Sequence, residues 1–177
     1  MGIFLAFFRG INVGGKNILL MKDLTGIMED LGYKNIKTYI QSGNAIFLTK
    51  NSTKDKIAEE MGVSILTHHG FKPKILLITE NELREAIKNN PFSTDNGKML
   101  HFFFLDAAPA NPDLERLAAL KSASEEYKLL NNTFYLYAPD GIGRSKLAAK
   151  AEQYLGVPAT ARNWNTVGKI FEMLNTI

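Results

Sequence analysis

Gly10-Ile-Asn-Val-Gly-Gly-Lys16 spells G-x-x-x-x-G-K, but Asn17 stands where a phosphate-binding loop carries Ser or Thr. In such a loop backbone N–H groups wrap the phosphates at a helix start, the lysine reaches the terminal phosphates and the hydroxyl holds Mg²⁺. An Asn17 amide replaces that hydroxyl poorly. The helix also comes late, because Asn17-Ile-Leu-Leu20 intervenes before an amphipathic pattern begins. Leu100–Asp106 has the apolar-run-then-Asp shape of a partner strand, yet P-loop nucleotidases need parallel strands. The Gln41–Asn44 turn is short enough to force an antiparallel pair. Two readings remain for this stretch. One is a turn whose glycines supply positive φ. The other is an anion-binding loop on an antiparallel scaffold, built from Arg9, Asn12, Gly14, Gly15, Lys16 and Asn17. There Arg9 offers a bidentate fork and Lys16 a point charge.

Two more stretches gather groups that can recognise a ligand. Gln41, Ser42 and Asn44 are ordinary turn residues, or a set of neutral hydrogen-bonding groups lining a site. Arg162-Asn163-Trp164-Asn165-Thr166 holds the only tryptophan among amides and an arginine. Asn163 at a helix N-cap and Trp164 opening a buried face explain much of it. The ligand reading makes Trp164 a stacking platform and Arg162 an anion contact. Arg144-Ser145-Lys146 can meet an anion at a helix start, or Ser145 simply caps that helix. His68 and His69 are adjacent and diverge on a helix. His101 lies in an apolar strand, where a core histidine is the commoner case. Glu59-Glu60 and Glu125-Glu126 read as solvated faces. There is no Ser-His-Asp spacing, no H-E-x-x-H and no EF-hand loop, and no metal site or cofactor is indicated.

The elements that must position these groups follow from periodicity and punctuation. Gly2–Phe8 is a buried strand. Leu24, Ile27, Met28 and Leu31 mark one helix face, closed by Gly32. Strands at 36–40 and 45–48 flank the 41–44 turn. A helix starts at Ser52, with Asp55 three residues on, and strand 74–78 follows. The order β-α-β-β-α-β is the ferredoxin-like unit. Thr79 and Glu82 form a second capping pair ahead of a short helix that Pro91 ends. The order then repeats: strand 98–105, a helix opened by Pro112 at its first position, a hairpin about Asn131-Asn132, a helix from Ser145 to Leu155, a short strand at 158–161 and a last helix from Trp164. The predicted fold is therefore α+β, two packed ferredoxin-like units with antiparallel sheets plus a C-terminal helix. The expected boundaries are 1–79, a connecting helix and loop at 80–97, and 98–177.

Composition sets outer limits. A chain of 177 residues buries roughly 70% of its unfolded surface. It is 45% hydrophobic and 22% charged, ordinary for a globular protein. Apolar runs are too short for a membrane span. Cysteine is absent, which excludes disulfides and thiolate zinc sites and fits a cytoplasmic location. The net charge of +3 is spread along the chain rather than gathered as nucleic-acid binders gather it.

Arg9–Asn17, Thr38–Asn44 and Arg162–Thr166 together, with Asn90-Pro91-Phe92 and Ser145-Lys146, resemble the bacterial domain-of-unknown-function family 1697 over essentially the whole chain. The resemblance implies an α+β fold and no particular activity. Three classes of function stay open: binding of a phosphate-containing small molecule or nucleotide through the 9–17 loop; single-stranded nucleic-acid binding on a sheet face through Tyr39, Phe47, Tyr135 and Tyr137; and an interaction module without catalysis.

Overall fold

Gly2–Arg9 (β1) is apolar at nearly every position because it is an inner strand buried on both faces. The structure is a computed structural model that describes residues 1–50 and 53–177. After β1 come α1 (Met21–Asp30), β2 (Lys34–Tyr39), β3 (Asn44–Thr49), α2 (Lys54–His69) and β4 (Lys74–Thr79). The sheet order is β2-β3-β1-β4, antiparallel throughout. Next are α3 (Glu80–Lys88), β5 (Leu100–Leu105), α4 (Leu114–Leu120), β6 (Glu126–Leu130) and β7 (Thr133–Tyr137). A 3₁₀ turn at Ile142–Arg144, α5 (Lys146–Leu155), β8 (Ala159–Asn163) and α6 (Trp164–Leu174) complete the chain. The second sheet runs β6-β7-β5-β8, the first order repeated. The fold is α+β, two ferredoxin-like units and a C-terminal helix, as the repeated element order predicts.

In the first unit Phe4, Ala6 and Phe8 of β1 and Phe47 of β3 pack against Leu24 and Met28 of α1 and Ile57, Met61 and Ile65 of α2. Each of the large side chains among them contributes about 1.5–3 kcal/mol by leaving water. Tyr33 stacks on Phe47 with centroids 4.8 Å apart and donates to Glu60 at 3.2 Å. Burial, reinforced by the Glu60 charge, raises the Tyr33 phenol well above its ordinary range. In the second unit Phe103, Leu105, Phe134 and Leu136 meet Leu117 of α4 and Leu147, Ala151 and Leu155 of α5. The hairpin turns at Asn131, whose φ is +51°.

Two of the aromatic residues proposed for base stacking are withdrawn from solvent. Phe47 lies under the helices, and Tyr135 is buried with its hydroxyl donating to Ala86 O at 2.7 Å. Burial pushes the Tyr135 phenol up to about 12. Among the described residues no helix is long and apolar enough to cross a membrane.

Local punctuation is partly as expected. Thr79 and Glu82 exchange hydrogen bonds at the start of α3, and Lys54 reaches the same carboxylate at 2.6 Å. Burial works to raise the Glu82 carboxyl, but the Lys54 and Thr79 hydrogen bonds together hold it below the usual range. Ser145 caps α5 and Gly156 ends it in the left-handed region. Helix α4 starts later than Pro112 suggests. Asp113 takes the N-cap by accepting from Arg116 N at 3.1 Å, leaving the proline outside the helix. The expected Ser52 cap falls outside the described residues.

By contacts the chain divides into Met1–Glu85 with Ile170–Ile177, and Ala86–Lys169. The tail 170–177, expected with the second unit, thus groups with the first. Lys37 Nζ donates to Thr176 O at 2.8 Å, and Arg84 sits over the Phe171 ring and donates to Asn175 Oδ1.

His101 on β5 is buried with Nδ1 lacking a partner, and burial lowers its pKa below the ordinary value. The unfolded chain therefore takes up a proton at a higher pH than the native protein. Its contribution to stability is complete above the ordinary histidine pKa near 6.5 and is lost as pH falls through the lower native value. Urea midpoints should decline from pH 7 to pH 5, and His101→Leu should flatten that decline.

Candidate functional site

The Gly10–Asn17 stretch folds as a miniature hairpin. Val13 and Lys16 form an antiparallel bridge, with Lys16 N donating to Val13 O at 3.1 Å. Gly14 and Gly15 between them have φ of +58° and +73°, the double left-handed requirement of a type I′ turn. Asn12 N donates to Asn17 O at 3.1 Å, one step further from the tip. The lysine amide is thus spent inside the turn, and α1 begins only at Met21. This is not the wrapped loop at a helix start that a nucleotidase uses.

Because β1 and β3 are antiparallel neighbours, the end of β1 lies beside the start of β3, with Phe7 opposite Asn44. The hairpin and the 41–44 turn therefore share one end of the sheet, and Asn12 joins them. Its Oδ1 accepts from Leu19 N at 2.9 Å, and its Nδ2 donates to Leu19 O and to Gln41 O, both at 2.8 Å. Asn17 Nδ2 donates to Gly10 O at 2.9 Å. Buried Asn44 donates to Tyr39 O at 2.9 Å and Ser42 Oγ at 3.4 Å. These asparagines spend their side chains holding the backbone. Lys16 and the Gly14-Gly15 tip remain exposed.

Gly43 makes the junction possible. Its carbonyl accepts from Phe8 N at 2.9 Å. A Cβ there would lie 2.6 Å from Ile11 Cδ1 and 2.7 Å from Phe8 Cβ, and its φ is +82°. Beside it, exposed Ile40 holds φ of +50°. A β-branched residue pays roughly 1–3 kcal/mol to sit there. Arg9 ends β1 directly opposite Lys74 of β4, so two cations share one face of the sheet edge.

The Arg162–Asn165 group belongs to the second unit. Asn163 Oδ1 caps α6 through Thr166 N at 3.0 Å, as its position suggests. Trp164 packs on Phe102, centroids 5.8 Å apart, with Gly168 beneath its ring. Arg162 Nη1 donates to Ala161 O at 2.8 Å. Asn165 sits so close over Gly97 that any side chain at 97 would collide with it. These observations favour capping and packing for Asn163, Trp164 and Asn165. Lys121 and Asp140, which no linear motif marks, line a concavity beside Arg144 and Lys146 in this same unit.

The model of the family described as "Protein of unknown function (DUF1697)" matches residues 1–135. The chain belongs to that family. The match includes the hairpin and the 41–44 turn and stops short of Arg162–Thr166. A solved structure of a conserved bacterial protein from Streptococcus pneumoniae is similar, with 23% identity, a TM-score of 0.68 and 98% of each chain covered. At that identity the likeness speaks to the fold alone. No curated protein matches the chain.

Gly43→Ala should cost about 3 kcal/mol by overpacking and strain, read as a lower urea midpoint. Asn12→Ala should cost about 1–3 kcal/mol, because Leu19 N and Gln41 O lose their partners. Gly14→Ala, which a Cβ would leave open to solvent, should cost about 1 kcal/mol from its positive φ alone.

Proposed function

We propose that this protein binds a phosphate-bearing small molecule, a nucleotide among the candidates, at the end of β1. The hairpin tip would lie against the anion. The observation that carries the reading is exposed Lys16 beside the Gly14-Gly15 tip, where positive φ values turn a backbone bare of side chains toward solvent. Its ammonium can make a charge-assisted contact with phosphate. Arg9 and Lys74 stand opposite one another at the adjoining strand end and place two further cations near that loop. Gly14 and Gly15, bare of side chains, allow the anion close approach to backbone amides.

Preorganisation supports the same reading. Asn12 ties loop to turn before any ligand arrives, so little ordering is left to offset binding. Asn12, Asn17 and Asn44 then act by positioning rather than by touching the ligand. Gln41 and Ser42 border the site. Nothing in this arrangement supplies a nucleophile or a general base, so the proposal is one of binding.

Thermal-shift titration with pyrophosphate and ADP tests it. The expected result is a raised melting midpoint at millimolar ligand that is lost in Lys16→Ala and weakened in Lys74→Ala. A midpoint unmoved by any phosphate compound, or moved equally in Lys16→Ala, contradicts the site.

A further inference from the structure

The second unit holds a cleft of about 620 Å³ between the end of α4, the following loop, the 140–141 turn and the start of α5. This volume lies within the roughly 300–1,000 Å³ of small-molecule sites. Its charged lining is Lys121, Glu125, Asp140, Arg144 and Lys146. The charges are not equivalent. Glu125 is buried and its carboxylate accepts from Ser122 N at 2.9 Å. Asp140 accepts from Ser124 Oγ at 2.6 Å, and that hydroxyl lies 3.2 Å from Ser122 Oγ. Lys121 Nζ donates to the carbonyls of Ser122 and Glu125, at 3.3 and 2.9 Å. These three charged groups are committed to building the wall.

Arg144 and Lys146 are not. Both are exposed, and among the described residues neither takes part in an ion pair. They flank Ser145, and the first turn of α5 carries no acidic residue. Cations at the positive end of a helix are unfavourable. Here the two exposed cations stand at the rim of a concavity whose wall also bears serine hydroxyls and carboxylates.

We infer that this cleft binds a phosphorylated polyol of sugar-phosphate type, with its phosphate at Arg144 and Lys146 and its hydroxyls along the Ser122–Asp140 wall. The guanidinium supplies a bidentate fork and the ammonium a point charge for the phosphate. The Asp140 carboxylate has lone pairs left to accept from ligand hydroxyls, and Ser122 Oγ, whose proton goes to Ser124 because Ser124 donates to Asp140, keeps a lone pair to accept another. A fully cationic patch would suit a bare polyanion. Three cations interleaved with two carboxylates suit a ligand that is anionic at one end and a hydrogen-bond donor at the other.

The test is NMR titration of the amide spectrum of the full chain with glucose 6-phosphate, with inorganic phosphate and glucose as controls. Glucose 6-phosphate should move the amides of Ser122, Lys146 and Leu147 at concentrations up to about 10 mM, ahead of both controls. In Arg144→Gln/Lys146→Gln, whose exposed positions leave the fold intact, the affinity should drop roughly tenfold or more. Lys16→Ala, on the other unit, should leave these shifts unchanged, which separates this cleft from the β1 site. Absence of shifts in these residues, shifts that persist in the double variant, or equal shifts with inorganic phosphate would overturn the inference.

Discussion

A single close approach governs the end of the first sheet. Phe8, the last apolar residue of β1, donates its N–H to Gly43, and the Gly43 Cα sits where a side chain would run into Phe8 and Ile11. Only glycine fits both the contact and the positive φ. From that contact the rest of the end follows. The chain must leave β1 alongside the turn, Ile11 turns inward and is buried, and Asn12 emerges within reach of Gln41 O. The hairpin that spells like a nucleotide loop is thus anchored by the sheet rather than by a helix. Its lysine is consequently displayed, while in a P-loop it would be folded back over phosphates.

The asparagines divide the labour differently from what their types suggest. Asn12, Asn17 and Asn44 look like ligand contacts in a polar cluster, and each is instead bonded to main-chain atoms. Neutral amides can satisfy a carbonyl and an N–H at once, which is what irregular backbone at a sheet end requires. In the proposed site, charged recognition falls to Lys16, with Arg9 and Lys74 nearby. Ile40, held in the left-handed region beside them, marks strain in the turn. Such strain is stored where a fixed local shape is needed.

Much of the fold was legible because its signals are local. The apolar run of β1, the Asn131-Asn132 hairpin, the Thr79–Glu82 pair and the Ser145 and Asn163 caps each write their physics in a few adjacent letters. The repeat of β-α-β-β-α-β gave the two units. What escaped depends on partners without letters. Asn12 bonds a backbone carbonyl 29 positions away, and every residue has such a carbonyl. The tail's grouping with the first unit involves pairs far apart in the chain, such as Lys37 with Thr176, 139 positions on, and Arg84 with Asn175, 91 positions on. The start of α4 was misplaced because Asp113 outcompetes the proline signal before it. Lys121 meets Asp140 and Arg144 from a different connection, so no spacing announces their cleft.

The account stands on Asn12 welding loop to turn in the unliganded protein. Native-state hydrogen exchange at Leu19, whose N–H donates to Asn12 Oδ1, reads that weld directly. The expected result is a Leu19 amide protected by roughly a thousandfold or more relative to the exposed Gly14 amide, with most of that protection lost in Asn12→Ala. A Leu19 amide that exchanges in the wild type as fast as Gly14 would contradict a prebuilt site.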